Sequence, residues 1–417
     1  MLKSYTKEEK SWILYDWANS AFSAIVASII LPVFFNSVAE ADGISSVNAT
    51  AYWGYATSCG TLICALLAPF LGTLGDFKGL KKKLFFSFML LGVISTLLLA
   101  FTNSWEMLLI FYVFGTVGFA GSCVYYDSFL PDITEPSRMD RVSTVGYGLG
   151  YIGGSTIPLV VSLVLIQFGD GFGIPTTTAT KLSFLLTAVW WFVFTIPMLR
   201  HVRQRHSIQP EGNIFRQTMK HMMHTLSLIV KNKSVFFFLI AYFFYIDGVG
   251  TIIHMATVFG ASCGLESMDM MVILLVVQIV AFPFAILYGK LAGRFGARRM
   301  ILFGIATYIL VCVVGFRLDE MKDFLFLAVL VGTAQGGIQA LSRSFYGKII
   351  PADHSGEFFG FFDVFGKFSA VIGPAAFGAV AQITGRTHSG VLAVMSMFVI
   401  GGAMVMMLIP ENIERVH

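Results

Sequence analysis

The length of its uncharged stretches limits most strongly what this chain can fold into. From Trp17 to Ala39 there is no Asp, Glu, Lys or Arg. At about 1.5 Å per residue, such a helix is long enough to cross a hydrocarbon core of about 30 Å. Apolar runs of this kind recur near 12–37, 51–74, 84–102, 106–130, 141–167, 181–199, 233–257, 268–291, 299–317, 323–346, 357–382 and 389–409. They show no amphipathic period, as expected of helices that face lipid or are buried all round. With 56% hydrophobic and 12% charged residues, the chain has too little charge to cover a soluble protein of its size. The sequence predicts an all-α integral, multi-pass membrane protein with twelve transmembrane helices.

The N-terminus imitates a secretory signal, with a basic segment, an apolar run and then Ala39-Glu40-Ala41. The run exceeds the 7–15 residues of a signal core and carries Asp16, Asn19 and Pro32, so it is expected to stay as the first helix. An even helix count puts both termini on one side. Of 28 Lys and Arg, 23 lie on the terminal segments and even-numbered loops, four (Lys181, Arg317, Lys322, Arg386) on the other face, and Lys367 within a run. The positive-inside rule then makes both termini cytoplasmic, in the plasma (inner) membrane if the source is bacterial.

The one long loop, 200–232, alternates apolar residues (Ile214, Met219, Met222, Met223, Leu226, Ile229, Val230) with Arg216, Lys220, His221 and His224. This predicts an amphipathic helix on the inner leaflet. His221-x-x-His224 has ligand spacing but no third ligand in the sequence, and the five cysteines lack CxxC or Cys/His spacing. No metal and no cofactor is expected. The chain has no GxxxxGK[ST] and no nucleophile–base pair, so it is expected to be neither ATP-driven nor an enzyme, and no nucleic acid is an expected partner. Gly148-Leu-Gly150-Tyr-Ile-Gly153 spells GxGxxG, but inside a membrane helix with no preceding strand. Gly146, Gly150 and Gly154 instead make a smooth helix face.

An internal repeat organises the chain. "GTLGDFKGLKKK" (72–83) matches "GKLAGRFGARR" (289–299), and "GTVGFAGSCVYYDSFLPD" (115–132) aligns with "GTAQGGIQALSRSFYGKIIP" (332–351). Two parallel six-helix halves follow, 1–199 and 233–417, joined by the linker 200–232. Secondary transporters are commonly built this way, with their site between the repeats.

The two G-x-x-x-[D/G]-x-x-G-x-[K/R]-[K/R] loops resemble the signature loop of the major facilitator superfamily. Within it, "LYDWANSAF" (14–22), "YYDSFLPDI" (125–133), "YGLGYIGG" (147–154), "YIDGVGTIIHMA" (245–256) and "ALSRSFYGKIIPADHSGEFFGFFDVFGK" (340–367) resemble the autophagy-related vacuolar amino-acid effluxers and their bacterial relatives. The resemblance implies alternating access about a central cavity and transport of a small solute, amino acids being the best-attested class. It also implies a gating role for Gly72, Asp76 and Gly79, with Asp76 capping the helix that starts at Ser355-Gly356-Glu357. Gly293 stands where the second loop copy should carry an acid, so that role falls to the first copy alone.

Charges at membrane depth mark candidate sites. Asp247 lies twelve residues after Val235, about 18 Å into a core of about 30 Å, and is the first candidate for proton exchange. Asp16 is the second, against the alternative of an acid in a helix's first turn facing its dipole; Asn19 and Ser20 follow it in a polar stripe. Lys367 and Asp363, one turn apart, are candidates for substrate binding together with Asn19, Gln278, Gln335, Gln339 and His254; Lys367 could also reach Asp247. Asp127 and Arg343 occupy corresponding repeat positions and could bridge the halves as a gate. The expected function is secondary transport of a small polar solute, an amino acid first, coupled to protons. The alternatives are export of amphipathic compounds or lipids through a phenylalanine-rich cavity, and a receptor or scaffold without transport.

Overall fold

The computed structural model describes residues 2–262, 267–316, 321–386 and 389–410; of these, the side chains at 2, 254–262, 267–271, 321–323 and 369–371 are outside the description. Twelve helices among the described residues are long and apolar enough to cross a membrane. Spans 1 to 6 are Lys7–Ala41, Ser46–Asp76, Lys81–Leu99, Trp105–Ser128, Pro136–Phe172 and Thr176–His201. Spans 7 to 12 are Lys233–Ile253, Val272–Phe295, Ala297–Gly315, Phe324–Ile349, Ser355–Thr384 and Gly390–Leu408. A linker helix, Ile214–Lys231, lies between the two sets.

Local chemistry sets where the helices start. Thr6 and Glu9 form a reciprocal capping box ahead of span 1, Ser45 and Ser104 cap spans 2 and 4, and Pro136 opens span 5, where a missing N–H is harmless. Span 1 therefore begins at Lys7, with Glu8 and Glu9 in its first turn. Asp16 sits nine residues further on, which removes the helix-dipole reading of that acid, since the effect fades within a turn.

Spans 1 and 5 both widen to π-helical turns, at Phe22–Ile29 and Gly150–Thr156. An extra residue per turn of this kind often marks functional sites. Here the close approach of the two helices depends on small residues: a Cβ on Gly146 would lie 2.5 Å from Asp16 Oδ2, and one on Gly154 2.6 Å from the Trp17 carbonyl oxygen.

Each half has its own aromatic-rich core, built around Trp12, Tyr15, Tyr126 and Trp191 in one and Tyr245, Tyr308, Tyr346 and Phe398 in the other. The repeat is visible in the backbone. Gly79 and Gly296, at matching repeat positions, both take a positive φ, 78° and 87°. The halves meet where span 2 packs on span 11 and where span 5 packs on spans 8 and 10. The linker threads along the loop after span 2, with a bridge between Phe77 and Ile208, and Gln204 bonded to the carbonyls of Gly75, Asp76 and Phe77. This side of the protein is called the linker face below.

Candidate functional site

On the linker face one cation from the second half is inserted into the first. Arg343 on span 10 is 3% exposed. It donates to Asp127 Oδ1 at 2.9 Å, Asp16 Oδ2 at 3.1 Å and Ser143 Oγ at 2.9 Å. Its guanidinium carbon lies 4.6 Å from the Trp12 ring centroid, 4.5 Å from Tyr147 and 5.2 Å from Tyr126. The planar, weakly hydrated guanidinium suits both the fork of acceptors and the aromatic faces. The Tyr126 hydroxyl donates to Asp16 at 2.8 Å, and Trp12 Nε1 donates to the Tyr126 carbonyl at 2.8 Å, so the cage holds its own acid in place.

A second set of bonds surrounds the start of span 11. Asp76 accepts from the backbone N–H of Gly356 at 2.7 Å and of Glu357 at 2.8 Å, as an acid at a helix N-terminus should. Asp76 is fully buried, not a solvated acid among lysines. Lys81, also fully buried, reaches Asp132 at 3.1 Å, Ser355 Oγ at 2.9 Å and the Ser128 carbonyl at 3.3 Å. Asp140 on span 5 accepts from Ser344 at 2.7 Å and Lys348 at 2.5 Å. These bonds tie span 11 to spans 2 to 4, and span 10 to span 5. A Cβ on Gly79 would meet nothing within 4 Å, and the Gly79 N–H donates to the Gln204 side chain at 3.0 Å.

Asp132 joins this set to the linker, accepting from the N–H groups of Arg205 at 3.0 Å and His206 at 2.8 Å. Burial pushes its carboxyl up, but Lys81 and the bonds from His206 prevail and hold it below the ordinary carboxylate value. A depressed pKa contributes stability above the unfolded value, about pH 4, that is lost as pH falls through the folded value. Asp132→Asn is expected to remove that component and leave buried Lys81 with only the more distant Asp76, at 3.8 Å, as a charged partner, a loss toward the low end of about 3–5 kcal/mol. Thermal unfolding in detergent should show a lower midpoint at pH 7 and a flatter acid dependence than the wild type; matching curves would refute the assignment.

Deeper in, Lys367 pairs with Asp363 one turn away on span 11, not with Asp247. Asp363 lines a small cleft with Cys64, Ala68 and Val124 of spans 2 and 4, so the pair lies where the halves meet. Asp127 is within electrostatic reach of both Asp16 and Asp363. Asp247 is fully buried within the second half: Oδ1 accepts from the Gly373 N–H at 2.9 Å, and Oδ2 has no hydrogen-bond partner. Gln278 and Gln335 each present a buried amide oxygen without a partner, Gln335 lying against Tyr151. Asn19 Nδ2 points at Cys123 Sγ, 3.6 Å away. Gln339 is half-buried on span 10, and the side chain of His254 lies outside the described residues.

Residues 5–415 match the family described as "Vacuole effluxer Atg22 like". The chain belongs to the Atg22-like family. An MFS-type transporter of Bacillus subtilis (strain 168), YxiO, is 47% identical over 416 residues, covering 99% of this chain and 97% of that protein. Autophagy-related protein 22-2 of Aspergillus clavatus is 26% identical over 61% of this chain but only 45% of its own length. Among solved structures, the human organic anion transporter MFSD10 superposes with a TM-score of 0.76 at 12% identity, covering 96% of this chain and 99% of that one. The proton:xylose symporter XylE follows at 0.72 and 12%, covering 98% and 96%. This Atg22-like chain is therefore an MFS-type transporter with the major facilitator fold, and not an enzyme.

Several residues that build the site of this Atg22-like protein escape a reading by sequence. Trp12, Tyr126 and Tyr147 look like ordinary apolar core, and only the position of Arg343 in space makes them a cage. Lys81 and Asp132 look like solvated loop charges, yet both are fully enclosed. Asp140 and Lys348 face each other across the halves, and no spacing in the sequence pairs them.

Proposed function

We propose that this Atg22-like protein is a proton-coupled secondary transporter of a small polar solute, an amino acid first, working by alternating access with both termini in the cytoplasm. If the source is bacterial, the membrane is the plasma membrane. The orientation rests on the 23-to-4 distribution of Lys and Arg. In that orientation the linker face is the cytoplasmic face, and its ion pairs and backbone bonds between halves describe an outward-facing state.

One observation carries the proton coupling: the charges of the inner cluster around Arg343 and Lys367 do not balance. Asp16, Asp127 and Asp363 face Arg343 and Lys367, three acids against two permanent cations. An unbalanced buried carboxylate is expensive, so a proton or a positively charged group completes the set. An amino acid offers both an ammonium and a carboxylate, which the Asp363–Lys367 pair can exchange for its own contact. Gln278, Gln335, Gln339 and Asn19 supply neutral polar contacts around it.

Asp247 is the site of proton exchange and Asp16 the entry to it. Asp247 carries no cation partner among the described residues and holds span 11 through Gly373, six residues beyond Lys367. A Cβ on Gly373 would lie 1.8 Å from Thr251 Oγ1, so spans 7 and 11 are in close contact there. Ionisation of Asp247 would alter that contact and shift span 11, which bears Lys367, Asp363 and the backbone bonds to Asp76. The same element thus links proton, solute and gate.

The test is reconstitution in proteoliposomes with an internal pH dye. Uptake of an amino acid should dissipate an imposed pH gradient, and Asp247→Asn should reduce the proton flux at least tenfold. Proton-coupled uptake at wild-type rate in that variant would overturn the assignment. A second reading has its own support: a cavity of about 680 Å³ between spans 1, 5 and 6, lined by Ile30, Phe34, Leu163 and Phe168, lies away from the linker face. It would suit an amphipathic substrate, and a lipid or detergent-like compound that competes with amino-acid uptake would favour it. Membership of a transporter family removes the receptor or scaffold reading.

A further inference from the structure

The linker helix and the start of span 11 bring together a set of side chains that transport does not use. His221 of the linker helix, His354 just ahead of span 11 and Glu357 in its first turn each present one donor atom, all within 4.8 Å of one another. In the sequence His221-x-x-His224 lacks a third ligand; the fold supplies His354 and Glu357 from span 11, while His224 is exposed. Glu357 is fully buried, and its Oε1 has no hydrogen-bond partner although Oε2 accepts from His354 at 3.1 Å. An acid buried with an unused oxygen beside two imidazoles is an unfinished polar site.

We propose that His221, His354 and Glu357 bind one divalent transition-metal ion of the Zn²⁺ type, which staples the linker helix to span 11. Two imidazole nitrogens and one carboxylate oxygen suit Zn²⁺, which accepts three protein ligands and leaves a fourth position to water. The same set is poor for Mg²⁺ or Ca²⁺, which favour six or more oxygens. Donors about 2.1 Å from a tetrahedral ion lie about 3.4 Å apart, so the half-buried His221 ring has to move in by a small rotamer change. His354 is partly open to the linker face, giving an entry path. The linker helix is docked on span 2 by Phe215 against Phe70, with ring centroids 5.5 Å apart, and His221 packs edge-on to Phe77 at 6.1 Å. An ion here therefore joins the first half, through that helix, to span 11 of the second, beside the Gly356 and Glu357 amides that Asp76 holds.

The inference is independent of the transported solute and is tested on binding. The full chain, purified without a polyhistidine tag, is titrated with Zn²⁺ by calorimetry, and with Co²⁺ to follow its visible d–d absorption. One ion per chain is expected, with a tetrahedral Co²⁺ spectrum and a thermal midpoint that rises with Zn²⁺ but not with Mg²⁺. Losing an outer-shell partner weakens metal sites by about ten- to a hundredfold, so His221→Ala, His354→Asn and Glu357→Gln should each weaken binding by at least about tenfold. His224→Ala, one turn away on the exposed side, should leave binding unchanged. Because His221 lies on the half-buried linker helix, its variant is the least disturbing to the fold. Absence of stoichiometric binding, or binding that survives His221→Ala, would overturn the proposal.

Discussion

Arg343→Gln is expected to open the linker face. The wild-type guanidinium satisfies Asp127, Asp16 and Ser143 together and fills a cage of three rings. Removing one member of a buried ion set costs about 3–5 kcal/mol, because the partners stay buried without it. All of that cost falls on the state in which the halves are closed over Arg343, so the equilibrium between open and closed linker faces should shift by roughly a hundredfold or more. Cys123 is a native reporter: it is half-buried on span 4, beside the Asn19 amide that packs across from the cage. In vesicles of a background with the other four cysteines (Cys59, Cys64, Cys263 and Cys312) changed to serine, a membrane-impermeant maleimide applied from the linker face should label Cys123 much faster in Arg343→Gln than without that change, and transport should fall to a few per cent or less.

Two further variants separate the cage from a simple charge effect. Arg343→Lys should not restore closure, because one ammonium cannot reach two carboxylates and a hydroxyl in the plane the rings define. Asp16→Asn combined with Asp127→Asn should relieve part of the Arg343→Gln defect, since the acids are then no longer stranded. Wild-type labelling and transport in Arg343→Gln would refute the gate.

How far the sequence speaks depends on whether a feature is local. Apolar run length is local, and the twelve spans follow from it because hydrocarbon leaves a helix no other way to satisfy its backbone. The repeat is also legible, and the positive φ shared by Gly79 and Gly296 gives a reason for both glycines. The acid missing at Gly293 has a counterpart in the fold: span 5, which lies opposite that loop by pseudo-symmetry, starts with Pro136 and has one N–H fewer to cap. What sequence order hides is which face meets which. Asp16 looks like a first-turn acid until the cap at Thr6 fixes where the helix begins. Lys367 has two acids to choose from, and only the packing of span 11 shows that its neighbour Asp363 is the partner. His354 and Glu357 look like part of a family signature, and only the linker helix lying across them brings His221 within reach.

Gly72→Val is expected to be as damaging as Arg343→Gln for a different reason. A Cβ at Gly72 would lie 2.1 Å from the Gly356 carbonyl oxygen and 3.2 Å from the Gly360 Cα, all backbone, and Gly356 is itself held by Asp76 at 2.7 Å. Nothing there can rotate aside, so a side chain forces spans 2 and 11 apart and breaks the amide bonds to Asp76. The repeat provides the control. A Cβ at Gly289 would come 1.9 Å from Thr144 Oγ1, a hydroxyl on a side chain that can turn or be truncated. Gly289→Ala should therefore be milder, and Thr144→Ala, which removes the clashing hydroxyl, should relieve part of it, while no single side-chain change should rescue Gly72→Val. Gly79→Ala tests the turn alone: its positive φ of 78° is strained for alanine, but nothing lies within 4 Å, so the penalty is about 1–2 kcal/mol with no change in labelling of Cys123. If Gly72→Val labelled like wild type while the protein stayed folded, the span 2–span 11 contact would not be what closes the linker face, and closure would fall to the contacts of span 10, the Arg343 cage and the Asp140 bonds.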